Sequence, residues 1–369
     1  MEHIPFFKAS FDAIEPSLLQ SALNAETDEL AEQLETQAAK MLGVPYVVAA
    51  ANPSLALQLA LTAVDIKRGD KLITSVNAHP ALSQAIRQLD AEPVFADIDT
   101  KTFDISSDAL AAKITAAENG KKLRGVLCNS LAGQSPDIEP LRQMTKERNL
   151  LLITESYSMI GADFMPSLIE KSDITVTSLL PIESLASNIG FIATHNAALR
   201  SRALLLRNHA LKNSGGYIYD QIDVGCSYMP SPLDMAFALT NLPKAARALE
   251  LRREIAAQYD RAFADLPHVS IPVKRSPHGY SSYIISIDKN RDEFARKLLE
   301  RGVETALCYI PLHLMSYYRF KYALKITDYP RALDNYQHIL SLPIYSAMHG
   351  KQAEYVIEAV KEIAEQRTW

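Results

Sequence analysis

The run of the chain predicts an α/β protein: a large domain on a mostly parallel sheet flanked by helices, then a smaller C-terminal α/β domain. Two observations carry this. Short β-rich apolar runs alternate with helical runs through residues 46–194, and such alternation gives parallel strands covered by helices on both faces. Near residue 240 the pattern changes to a long alanine-rich, charged helical run with a strand and helices of its own. The division is therefore placed at 1–240 and 241–369. A chain of 369 residues is long for one domain and accommodates a large core plus a lobe.

Taken in order, Tyr46 to Ala50 reads as a strand, and Ser54 to Val64, with Leu55, Leu57, Leu59 and Leu61 among alanines, as a helix. Lys71 to Thr74 is a short strand and Pro80 to Leu89 a helix. A strand from Glu92 ends in a turn near Asp99, and Ser107 to Glu118 is helical. Arg124 to Asn129 is a buried strand, Ile138 to Arg148 a helix and Leu150 to Thr154 a strand. Asp173 to Ser178 and Gly190 to Thr194 are two more strands. One helix is expected from Leu233 to Tyr259, ending at the turn Leu266-Pro-His. Tyr280 to Ile287 is a strand, Asp292 to Gly302 a helix, and a last helix ends near Arg367.

Composition narrows the function classes. Hydrophobic residues make up 48% and charged residues 22%, the balance of a soluble globular protein. The net charge of −5 and pI near 6.0, with scattered Lys and Arg, argue against nucleic acid. No apolar run reaches the ~18 residues of a bilayer span. The N-terminus lacks a basic stretch leading into an apolar one, so the expectation is a cytoplasmic protein without a signal peptide. Cys128, Cys226 and Cys308 are odd in number and widely spaced, which argues against a disulfide framework or a metal site. Glycine numbers 13, about half the usual ~7% share, which draws attention to the loops where backbone would approach a ligand.

One segment narrows the reading further. Asp173-Ile-Thr-Val-Thr-Ser178-Leu-Leu-Pro181-Ile-Glu183 resembles the active-site stretch of the DegT/DnrJ/EryC1/StrS nucleotide-sugar aminotransferases. The resemblance extends over about 300 residues in matching order. It includes Gly69-Asp-Lys-Leu-Ile, Ala91-Glu-Pro-Val-Phe-Ala-Asp-Ile-Asp, Leu131-Ala-Gly-Gln134, Ile153-Thr-Glu155-Ser-Tyr-Ser-Met-Ile-Gly161 and Leu206-Arg-Asn-His209. Tyr309-Ile-Pro-Leu-His313 and Leu340-Ser-Leu-Pro-Ile-Tyr345 continue it into the last third. Within the family, the pseudaminic-acid-type enzymes look nearest. The resemblance implies fold type I of the pyridoxal phosphate (PLP) transferases, with a seven-stranded, mostly parallel sheet, and a homodimer with sites between subunits.

It also implies a lysine where Glu183 stands. That lysine forms the Schiff base with PLP, and a carboxylate cannot form an imine. The other supports are mixed. Glu155 falls where the family places the aspartate that pairs with the pyridine nitrogen, or is simply an acidic residue at a strand end. Ser178 matches a phosphate-binding serine. Ser54 keeps a hydroxyl at the phosphate cradle, but Pro53 beside it has no N–H, and proline also suits a plain helix start. The stacking aromatic is Ala78, with His79 next to it. The asparagine donated by the partner subunit is Ser227, Tyr228 follows it, and the arginine is Met229. His313 belongs either to the packing of the C-terminal lobe or to the sugar end of the cleft.

Three readings follow from the resemblance. The first is a degenerate member that acts as a binding module or as partner to an active paralogous aminotransferase, with a nucleotide-sugar as a possible ligand. The second is a lysine-free enzyme using pyridoxamine phosphate (PMP), such as a dehydratase or atypical transaminase, with Glu183 as base. The third is a transaminase drawing its lysine from elsewhere, Lys171 being the nearest.

Overall fold

The computed structural model describes residues 2–8, 20, 22, 24–118, 122–179, 188–215, 217–271, 273–274 and 278–366. The elements run α1 (Thr27–Leu42), β1 (Tyr46–Ala50), α2 (Pro53–Ala63), β2 (Lys71–Ser75), α3 (Pro80–Gln88), β3 (Glu92–Ala96), α4 (Ser107–Glu118), β4 (Leu123–Asn129), α5 (Ile138–Glu147), β5 (Leu151–Tyr157), α6 (Met165–Lys171), β6 (Ile174–Ser178) and β7 (Gly190–Thr194). Then follow α7 (Ala197–Arg207), β8 (Leu211–Gly215), β9 (Ile218–Gln221), α8 (Pro232–Asn241) and α9 (Ala245–Phe263). The last part holds β10 (Val269–Ser270), β11 (Tyr283–Ile287), α10 (Arg291–Glu300), α11 (Ser316–Tyr322), α12 (Pro330–His338), β12 (Ile339–Leu342) and α13 (Gly350–Ala364).

β1 to β7 form one sheet in the order β1-β7-β6-β5-β4-β2-β3. The pairs β3–β2, β2–β4, β4–β5 and β5–β6 are parallel, and only β7 runs against its neighbours. Strand alternation sorts the core. Ile73, Val126 and Leu152 pack on one face against Leu34, Ala38 and Leu42 of α1. Their chain neighbours Leu72, Leu127 and Ile153 pack on the other, against Leu57 and Leu61 of α2 and Leu82 and Ile86 of α3. This is the large sheet expected of fold type I.

α1 arises from Leu30, Leu34, Ala38 and Leu42, spaced four apart on one helix face, and ends at Gly43 with φ 66°. The helix expected from Leu233 to Tyr259 is instead two helices joined by a 3-10 turn at Leu242–Lys244. Pro243 lies in that turn, where its missing N–H and its ring break the α ladder. α9 then serves both lobes: Ala245 and Leu249 join the sheet core, while Ile255, Tyr259 and Phe263 join the second core. That second core gathers Tyr283 and Ile285 of β11, Phe294 and Leu298 of α10, Leu340 of β12, Val356 and Val360 of α13, and Ile4 from the N-terminus.

The lobes meet at the Leu131-Ala-Gly-Gln134 loop. The Gly133 carbonyl accepts from Gly279 N–H at 2.7 Å. Gly133 has φ 86°, and a Cβ there would lie 2.7 Å from Tyr280 N. Only glycine permits that joint.

Candidate functional site: a cleft between the lobes

In open α/β sheets, ligands bind beyond the carboxyl ends of the strands. Here those ends face a cleft of about 770 Å³. The sheet supplies Asn52 to Leu55 after β1, His79 after β2, Asn129 and Ser130 at β4, and Glu155, Tyr157 and Ser158 at β5. The small lobe supplies Ser281, Ser282 and Ala306 to Tyr309. A second hollow of about 430 Å³, between α3 and α11, shares Gln88 with it.

Each side chain is placed for a local reason. Asn52 caps α2, its Oδ1 accepting from Leu55 N–H at 2.9 Å, and its carbonyl accepts from Ala56 N–H at 2.9 Å. Pro53 takes the first helical position, where a missing N–H is tolerated. Gly190 lets β7 press on this turn: a Cβ there would lie 2.7 Å from the Asn52 carbonyl oxygen and from Pro53 Cα. His79 caps α3 through Nδ1, which accepts from Ala81 N–H at 3.2 Å. Burial lowers its pKa, so the ring is held neutral. It meets Tyr309 edge-on, with centroids 5.6 Å apart.

Glu155 is 6% exposed, and one carboxyl oxygen accepts from Tyr157 N–H at 2.9 Å. Burial pushes its pKa up to about 8, against that hydrogen bond, so the acid is protonated through neutral pH. Tyr157 lies two residues on, and its hydroxyl donates to the Pro53 carbonyl at 3.2 Å. In the sheet, β6 and β7 stand between β5 and β1, which leads into α2. The Tyr157 ring therefore reaches across the strand ends from the carboxyl to the start of α2. Burial also raises the Cys308 thiol, to about 11, and it stays uncharged.

The structure brings Ser54, His79 and Glu155 together in the cleft lining. Ser178 ends β6 but is fully buried outside that lining, its carbonyl accepting from Ser158 N–H at 3.1 Å. Tyr228 and His313, expected in the cleft, do not line it. Tyr228 packs with Leu206 and Ala210, its carbonyl accepting from Ala51 N–H at 2.8 Å. His313 is wholly buried, with Nε2 3.1 Å from the Ile326 carbonyl and its ring 5.0 Å from Tyr329. Ala78 is a core residue as well. Glu183 lies outside the described residues, between Ser178 and the cleft-lining Asn188. Lys171 ends α6, before β6 and away from the cleft, and pairs with Glu139.

Sequence reasoning missed Tyr157, although a signal was there. Residues two apart in a strand share a face, so Tyr157 had to point with Glu155. It also missed Asn129, Ser130 and the serines of the small lobe, which carry no local signature.

A model of the DegT/DnrJ/EryC1/StrS aminotransferase family matches residues 13–361. The chain belongs to that family. Bacillus subtilis spore coat polysaccharide biosynthesis protein SpsC is 27% identical over 350 residues, covering 90% of this chain and 89% of that protein. GDP-perosamine synthase of Escherichia coli O157:H7 is 26% identical over 370 residues, covering 98% and 99%. The structure of Helicobacter pylori PseC, an aminotransferase involved in the biosynthesis of pseudoaminic acid, superposes with a TM-score of 0.89 over 99% of this chain and 100% of that one, at 18% identity.

The family implies PLP, and the cleft permits a test of fit. The cofactor needs a donor-rich phosphate cradle, a carboxylate at the ring nitrogen and a slot between them. Glu155 stands where the second need falls, though burial favours its protonated form. The cradle does not suit: Pro53 has no N–H and Leu55 N–H is taken by Asn52. Among the described residues no Lys or Arg lines the cleft. Tyr157 lines the same cleft, its hydroxyl donating to the Pro53 carbonyl. The described residues of this chain do not fit a phosphorylated pyridine.

Proposed function

We propose that this family member serves nucleotide-sugar and polysaccharide assembly without transaminating by the Schiff-base route. It acts as a binding or partner subunit, either as a homodimer or beside an active paralogue, in the cytoplasm. The observation that carries the reading is the cleft itself. No cation lines it among the described residues, and the Leu55 N–H at the start of α2 is taken by Asn52. The sequence of 180–187, with Glu183 at the lysine position, holds no Lys or Arg either. The names of SpsC and GDP-perosamine synthase support the polysaccharide and sugar setting. Among the described residues no helix is long and apolar enough to cross a membrane. A homodimer is supported by the β8–β9 ribbon and the turn after it, where Tyr217 is 93% and Val224 79% exposed.

A second reading draws on one observation: the retained Glu155 offers the ring-nitrogen partner a PMP-dependent enzyme needs, with Glu183 as base. Absorption spectra of the purified protein with PLP and with PMP, before and after borohydride, separate the readings. No binding of either is expected. Saturable PMP binding without an adduct would favour the second reading. A borohydride-trapped lysyl adduct would sink both.

A further inference from the structure

Away from the cleft, one stretch of surface differs in sign from the chain as a whole. The chain carries a net charge of −5, yet residues 310–327 hold Arg319, Lys321 and Lys325 and no Asp or Glu. All three cations are exposed, and none is in an ion pair among the described residues. Asp328, the first carboxylate after them, accepts from Lys325 N–H at 2.8 Å. Apolar side chains stand among the cations: Phe320 is 87% exposed, Tyr317 54% and Ile326 46%.

The helix that presents them is fixed from beneath. α11 turns Tyr318 and Tyr322, four residues apart, toward the edge of the large sheet. Tyr318 meets Phe95 of β3 edge-on at 5.6 Å, and its hydroxyl lies 2.6 Å from Ser83 Oγ of α3. Tyr322 meets the same phenylalanine at 5.8 Å and donates to Glu92 at 2.8 Å. Phe320 is two residues from each, so it projects from the opposite side of the helix.

A ring exposed to this degree has no pocket of its own chain around it, and its contact with water is unfavourable. A protein partner would have to bring a pocket shaped for it. A lipid headgroup layer is fluid and closes around an inserted ring, and an anionic layer attracts the cations beside it. The carboxylates elsewhere on the chain oppose this weakly, since screening confines their effect to about 8 Å at physiological salt.

We infer that α11 and the turn after it form a peripheral docking surface for an anionic lipid bilayer. Phe320 enters at headgroup level, and Arg319, Lys321 and Lys325 face the lipid phosphates. The contact is reversible, because one ring is a far smaller anchor than an acyl chain.

The full chain is tested by flotation with phosphatidylcholine vesicles, alone and with about 30 mol% phosphatidylglycerol to supply the surface charge. Binding is expected to the anionic vesicles alone at low salt, with release at about 0.5 M salt, where screening shortens to roughly 4 Å. Lys321→Gln with Lys325→Gln should weaken it about 25-fold, each cation near an anionic surface contributing about fivefold. Phe320→Ser should weaken it about fivefold, the effect of half-burying a phenylalanine. These positions are exposed, so the fold is retained in each variant. Phe320→Trp, made with Trp369→Phe to remove the chain's one tryptophan, should show blue-shifted emission on anionic vesicles. Binding to neither vesicle overturns the inference and leaves the patch to an acidic protein partner. Equal binding to both, binding indifferent to the lysine and phenylalanine variants, or an unshifted emission on bound vesicles overturns it as well.

Discussion

Two glutamates are buried to nearly the same degree, Glu35 and Glu155, each 6% exposed, and they are treated differently. Glu35, on α1, accepts from Ala49 N–H at 2.9 Å and pairs with Arg207, whose guanidinium also donates to the Ala49 carbonyl at 3.2 Å. The pair ties α1, β1 and α7 together. Desolvation raises the Glu35 pKa, and Arg207 pulls against it. Glu155 has one backbone N–H, that of Tyr157, set against its desolvation. In the scaffold, a buried carboxyl is given a fixed partner. In the cleft, a buried carboxyl is left neutral and open on one side. The first ties elements together, and the second lines the cleft.

The largest test of this contrast is Arg207→Ala. It strands Glu35 and should cost about 3–5 kcal/mol in urea unfolding, as breaking a buried ion pair does. A loss under 1 kcal/mol would show that Glu35 takes up a proton as readily as Glu155.

Next is the pH dependence carried by Glu155. Its folded pKa lies above the ordinary value of 4.5, so the folded state holds the extra proton between about pH 4.5 and 8. Its contribution is therefore fully present below the lower value and is lost as pH rises through the upper one. Across that window the wild type should lose stability on the order of 5 kcal/mol relative to Glu155→Gln. Parallel stability curves for the two proteins would show that Glu155 ionises normally.

Smaller effects concern the closed cradle. Tyr157→Phe removes the bond to the Pro53 carbonyl and should cost about 1 kcal/mol. Asn52→Ala removes the α2 cap at a similar cost of about 1 kcal/mol in the same denaturant titration. If Tyr157→Phe is neutral, the tyrosine fills the slot without bracing it.

The alternation of strand and helix, the sheet with two covered faces and the family were all legible in the residues. Backbone propensity and burial periodicity are local, and the motif order survives in sequence. The break at Pro243 was legible too, had the proline been weighed against the helical run around it. The seats of Tyr228 and His313 were not, because a motif match says which residue corresponds and not which way its ring packs. The cleft lining drew on residues about 150 positions apart, from Asn129 to Ser282, joined through Gly133 and Gly279.

By itself, then, the sequence determined the elements, their layering and the absence of a lysine at 183. Only the tertiary structure decided what remains where the cofactor would sit. Burial pushes the Glu155 pKa up to about 8, and the Tyr157 hydroxyl reaches across the strand ends to the Pro53 carbonyl. Desolvation and cross-strand reach depend on neighbours far away in the chain, so neither can be read from one stretch of it.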